Sequence, residues 1–231
     1  MPLWHKAWAW FEANKKQALW GTGGVLVLGV IVSFFLYRQS EADIAASEAL
    51  SSATMPQMSG AGSRGDTPEG YLKVAAEYPN SRAAARALLL AAGSLFVEGK
   101  YPEAKTQFER FTREHSDSPY MGEALLGIAA CMDAQGKARE AMAAYKDLID
   151  HHPGDNVLPQ ARFALARLYE TQNEPEQSRN FFEEVERTDP YGSLGDESRM
   201  RIEELKIKYP KLFATTPPTP TNPPPFKIEK R

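Results

Sequence analysis

Hydrophobic positions along the chain follow two patterns. Between Ala18 and Tyr37 they run almost unbroken, whereas beyond residue 68 they recur three and four residues apart, the spacing of one helical face. From Ala83 to Glu98 the face is Leu88, Ala91, Ala92 and Leu95; Gly99 ends it, and Pro102 restarts a helix that runs to about His115. The next stretch repeats this logic, with Ser118-Pro119 as a cap and first-turn proline and Gly136 dividing two helices. In the third, Asn173 holds the dividing position with Pro175 soon after, and asparagine tolerates the left-handed conformation a helix end needs.

The blocks share a register. Pro79, Ser116, Pro153 and Pro190 stand 37 residues apart. In that register Ala87, Ala124 and Ala161 coincide, as do Ala92, Ala129 and Ala166, then Ala104, Ala141 and Ser178. Phe108, Tyr145 and Phe182 coincide too, as do Phe111, Leu148 and Val185. Small residues belong where two helices touch and large ones fill the space between them, so each unit reads as an antiparallel helix pair.

These residues resemble the tetratricopeptide repeat, which carries a large and then a small residue on its first helix, an alanine and an aromatic on its second, and a closing proline. Here those places read Leu88, Ala92, Ala104, Phe108, Ser116; Leu125, Ala129, Ala141, Tyr145, Pro153; and Arg162, Ala166, Ser178, Phe182, Pro190. Ser116, Arg162 and Ser178 depart from the pattern. The resemblance implies an all-α helix-pair solenoid with repeats at 80–116, 117–153 and 154–190. A partial repeat at 66–79 precedes them, since Tyr71 and Val74 lie one period before Phe108 and Phe111. Residues 38–65 then supply a helix within Glu41 to Thr54 and a Gly/Ser-rich linker, and 191–210 a capping helix over Asp196 to Lys208, because a terminal repeat needs a polar outer face. The proline-rich tail, 211–231, is expected to be extended or disordered.

The unbroken apolar stretch calls for a different environment. No charge stands between Lys16 and Arg38, a run of about 20 residues, which at about 1.5 Å each spans the roughly 30 Å hydrocarbon layer. Residues 20–37 therefore read as a transmembrane helix with Trp20 and Tyr37 at its interfaces. A cleavable signal peptide is the alternative, and Ser40-Glu41-Ala42 offers small residues for it. The long leader, the extension through Phe34, Phe35 and Leu36, and Arg38 directly after argue for a retained anchor. Lys6, Lys15 and Lys16 before the span, against Arg38 alone after it, place the N-terminus in the cytoplasm and the repeats outside it. In the leader, 1–19, Trp4, Trp8 and Phe11 form a helical stripe suited to the headgroup region.

Charge and composition narrow the chemistry. A net charge of -3 offers no basic field for nucleic acid. One cysteine, Cys131, allows neither an internal disulfide nor a thiolate zinc cluster, and its place in a first helix reads as packing. His115 and His152 are repeat equivalents on successive units and read as groups at helix C-termini rather than converging metal ligands. Glu183, Glu184 and Glu186, like Glu203 and Glu204, lie among other charges and read as a solvated face. The expectation is a protein that is no enzyme, with no metal, cofactor or small-molecule substrate. A redox role for Cys131 is the reading from another class.

In such repeats the first helices line a concave face that holds other proteins. The family's groove positions fall on Arg86, Leu89, Leu90 and Gly93; on Glu123, Leu126, Gly127 and Ala130; and on Gln160, Phe163, Ala164 and Arg167. This floor is mostly apolar, which suits an amphipathic helix or an extended apolar segment, unless helix 41–54 or the capping helix covers it. Anchor and repeats in this order resemble the bacterial ancillary subunit of the Sec translocon, and YLKVAAEYPNSRAAARALLLAA is similar to that family and to Tol-Pal cell-division coordinators. The resemblance implies a single-pass inner-membrane protein with periplasmic repeats whose partners are exported chains, translocon components or envelope chaperones.

Overall fold

The computed structural model describes residues 28–31, 33, 41–54, 67–79, 81–152 and 154–214, and every regular element among them is an α-helix. The chain divides into two compact units, residues 1–118 and 119–231.

The first unit holds α1 (residues 41–54), α2 (Pro68–Glu77), α3 (Arg82–Val97) and α4 (Tyr101–Glu114). Short polar side chains fix where two of these start. Thr67 accepts the Gly70 N–H at 3.2 Å, and Ser81 accepts the Ala84 N–H at 3.0 Å while donating to the Tyr78 carbonyl at 2.8 Å. The Arg82 N–H, left over at the same helix end, donates to Asp43 Oδ1 of α1 at 3.3 Å. Ala46 and Leu50 of α1 are buried, as are Tyr71, Val74 and Ala75 of α2.

The second unit holds α5 (Met121–Ala134), α6 (Ala138–His151), α7 (Leu158–Thr171), α8 (Pro175–Thr188), α9 (Ser193–Lys208) and the single turn α10 (Pro210–Phe213). Its core has two parts: Ala129, Tyr145, Leu148, Leu165 and Tyr169 among others between α5, α6 and α7, and Phe163, Ala166, Phe182, Val185 and Leu205 between α7, α8 and α9.

The turn inside each repeat is the same hydrogen-bonded device three times. Lys100 N–H reaches the Leu95 carbonyl at 2.9 Å and Gly99 N–H that of Phe96 at 3.0 Å. One period on, Lys137 reaches Met132 at 3.0 Å and Gly136 reaches Asp133 at 2.8 Å; then Glu174 reaches Tyr169 at 2.9 Å and Asn173 reaches Glu170 at 3.1 Å. This is the Schellman closure of a helix end, and it requires a left-handed residue: Gly99 has φ 77°, Gly136 75° and Asn173 60°. Asn173 meets the requirement without glycine and also accepts the Tyr209 hydroxyl at 2.7 Å.

The alanine register marks the places without room. Ala87, Ala124, Ala161, Ala92, Ala129, Ala166, Ala104 and Ala141 are all fully buried, and so are Phe111, Val185 and Phe182. Arg162 occupies a place held by Leu88 and Leu125, and its guanidinium reaches Glu184 of α8 at 2.9 Å. A cap by Ser118-Pro119 is not what starts α5. The helix begins two residues later, with Tyr120 as N-cap and no side-chain cap bond, because Ser118 is held in a turn by its own N–H to the His115 carbonyl at 3.0 Å.

Of the expected membrane span 20–37, only residues 28–31 and 33 are described; they are helical, with Leu28, Val30 and Ile31 exposed. Trp4, Trp8, Phe11, Trp20 and Tyr37 lie outside the described residues, as do linker residues 55–65 and tail residues 215–231. Among the described residues no helix is long and apolar enough to cross a membrane.

Candidate functional site

The first-helix faces are the candidate surface. On α3, Arg86 is exposed while Leu89, Leu90 and Gly93 are half-buried. A methyl group added at Gly93 would meet no atom within 4 Å, so this face has open space above the helix. Arg86 at one end and apolar side chains at partial exposure along the face leave a strip that a second apolar surface can cover without stripping water from a charge.

In the second unit, Glu123, Leu126, Gly127 and Ala130 of α5 are half-buried, as is Ala164 of α7, while Gln160 and Arg167 are exposed. Leu126 and Ala164 pack against the same core cluster, which brings the two first helices to one surface. Phe163 departs from the groove expectation. It is 7% exposed and meets the Phe182 ring edge-on at 5.4 Å between centroids, within the cluster that Leu205 of α9 completes. Because a phenyl ring at this position reaches the second helix of its own unit, it belongs to the core and is closed to a partner. Leu126, its repeat equivalent, stays half-exposed.

The charges of this surface include one that the family positions omit. Burial pushes the Asp133 carboxyl above its ordinary range, and Arg167 partly opposes that shift. Asp133 in turn helps burial to raise the Tyr145 hydroxyl. An α5 carboxylate thus lies within electrostatic reach of an α7 guanidinium. The signal in the sequence was the three-residue step from Ala130 to Asp133, which keeps both on one helical face.

The residues weighed for chemistry are placed elsewhere. Cys131 is fully buried in α5, with its backbone carbonyl accepting from Gln135 at 2.9 Å. His115 and His152 are the C-cap residues of α4 and α6. At His115 burial lowers the pKa, and its ring lies against Phe111 at 5.4 Å between centroids. His152 lies 3.8 Å from Asp155, whose carboxylate covers Gly122 in the first turn of α5. Among the described residues no group of three or more His, Cys, Asp or Glu could hold a metal ion.

Two models of known families match the sequence: a tetratricopeptide repeat-like domain over residues 8–144 and a tetratricopeptide repeat over 134–191. No curated protein matches it. Among solved structures, the chain is similar to a putative kinesin light chain of Podosopora anserina with nearly identical tetratricopeptide-like repeats, at 11% identity and TM-score 0.51, over 76% of this chain and 90% of that one. It is also similar to the Yersinia enterocolitica type III secretion chaperone SycD in complex with a peptide of the translocator YopD, at 19% identity and TM-score 0.46, over 52% of this chain and 91% of that one. A tetratricopeptide repeat protein of Parabacteroides merdae aligns at 15% identity and TM-score 0.48, over 63% and 56%. Repeat register, Schellman turns, buried alanines and a family match across more than half its length agree: the chain belongs to the family of tetratricopeptide repeat-like domains.

Proposed function

We propose that this protein is a membrane-held scaffold that binds other proteins through the first-helix faces of its repeats. The observation that carries the reading is a half-buried apolar strip on the first helices of each unit by itself: Leu89 and Leu90 of α3 beside Arg86 in the first, and Leu126 of α5 beside Glu123 and Arg167 in the second. Such a strip receives the apolar face of an amphipathic helix or an extended apolar segment, with the charges setting its orientation. The burial of Cys131 disfavours a redox role.

The family match begins at residue 8 and runs through the apolar stretch, and the described part of that stretch is helical with its large side chains exposed. Both support residues 20–37 as an anchor. In this proposal the N-terminus is cytoplasmic, the repeats are periplasmic, and the partners are exported chains at the Sec translocon together with envelope chaperones. An envelope-assembly or cell-division coordinator is the alternative partner set.

The test is crosslinking in cells from photoreactive residues placed at Leu89 and Leu126, with a buried control at Phe163. Exported or translocon proteins captured from the first two sites and not the third support the reading. Capture of residues 41–54 of the same chain alone would mean that the faces are already covered, and the scaffold proposal would fall.

A further inference from the structure

The outer end of the repeat stack shows a feature that the groove reading does not use. In repeat register α9 is a fourth first helix: Met200 stands where Leu89, Leu126 and Phe163 stand, and Glu203 where Ala92, Ala129 and Ala166 stand. Those three alanines are fully buried because a second helix packs on each. On α9 the corresponding face is bare. Met200 is 62% and Ile207 83% exposed, and Asp196, Glu203 and Glu204 beside them are exposed as well. The opposite side of α9, with Gly195, Ser198 and Leu205, is buried.

The single turn α10 does not cover that bare side. Arg179 of α8 donates to the Leu212 carbonyl at 2.8 Å and lies 5.3 Å from the Phe213 ring centroid, so α10 is drawn toward α8. Nor can the following residues supply the missing second helix, because Pro217, Pro218, Pro220, Pro223, Pro224 and Pro225 remove its donors and clash with its turns. A polar cap was expected here, and an apolar pair among acids stands in its place.

We propose that this face of α9 is a docking surface for the chain's own terminal segment Phe226-Lys227-Ile228-Glu229-Lys230-Arg231. The segment matches the face in both respects. Phe226 and Ile228 offer apolar side chains to Met200 and Ile207, and Lys227, Lys230 and Arg231 offer charge to Glu203, Glu204 and Asp196. Those acids are engaged in surface pairs, Glu203 with Lys206 at 3.4 Å, Glu204 with Arg201 at 3.3 Å and Asp196 with Arg199 at 2.9 Å, which exchange readily for others. The reach is sufficient: residues 215–225 in a polyproline conformation span roughly 34 Å at about 3.1 Å each, against about 24 Å for the 16-residue α9. A proline-rich spacer is stiff enough to keep the segment near the helix rather than dispersed through a large volume.

The experiment is a disulfide-trapping series in the full-length chain, in a Cys131→Ala background. The M200C/F226C pair is compared under mild oxidation with Y191C/F226C, whose first position is 98% exposed but lies off the face. The expected result is an intrachain disulfide forming at least about tenfold faster with M200C than with Y191C, independent of protein concentration. Charge reversal at Lys227, Lys230 and Arg231 to Glu should remove the advantage, and Glu203→Lys with Glu204→Lys in that same chain should restore it. Equal rates for the two pairs would overturn the proposal. So would crosslinks that form only between chains, which would assign the face to a second copy.

Discussion

Two serines stand where the repeat register places alanine, and they define a stabilisation that the structure allows to be estimated. Ser178 is the equivalent of Ala104 and Ala141, and Ser198 that of Ala87, Ala124 and Ala161. Both are fully buried, and neither hydroxyl has a hydrogen-bond partner among the described residues. Burying an unpaired hydroxyl costs about 1–3 kcal/mol, and alanine is a better helix former than serine by roughly 0.5 kcal/mol. Removing one oxygen also leaves a small gap, which offsets part of the gain. Ser178→Ala and Ser198→Ala should therefore each stabilise the second unit by about 1–2 kcal/mol. The assay is native-state hydrogen exchange read peptide by peptide, because it separates the two units where a global melt would merge them. Amides of α8 and α9 should gain about five- to thirtyfold protection, while those of α3 and α4 stay unchanged. Unchanged or reduced protection in α8 and α9 would refute the reasoning, by showing that the hydroxyls are satisfied or that the gap outweighs them.

Three further outcomes follow from the same geometry. A methyl group at Gly195 would lie 1.9 Å from the Asp189 carbonyl oxygen, a backbone atom that cannot turn away, so Gly195→Ala should cost about 2 kcal/mol or more; Gly93→Ala, with nothing within 4 Å, should instead gain about 0.5–1 kcal/mol, both read from urea midpoints. Burial lowers the His115 pKa below its ordinary 6.5, so the unfolded chain binds the proton more readily; stability is full above that value and falls as pH drops below it, and His115→Phe should flatten this part of the pH profile. All four tryptophans lie within the first 20 residues, so protein isolated from membranes should show tryptophan emission if the anchor is retained, and tyrosine emission alone if it has been removed.

The sequence by itself determined the repeat. A period of 37 fixed which residues are small, which are large and where each helix pair turns, because close helix contact and left-handed turns admit few residue types at each position. Gly99, Gly136 and Asn173 were legible for that reason, and the buried alanines with them. Only the tertiary structure decided how far each face is covered. Position alone put Phe163 in the groove beside Leu126, yet a ring reaches the facing helix where a leucine stops short, and Leu205 of α9 closes over it. Position alone placed His115 at a helix C-terminus, whereas its burial against Phe111, which favours the neutral ring, came from the packing. Asp133 came within electrostatic reach of Arg167 only when α5 and α7 met, and Met200 and Ile207 proved exposed because the turn after α9 is drawn toward α8. Local patterns specify helices and turns, whereas exposure and charge state depend on neighbours distant in sequence.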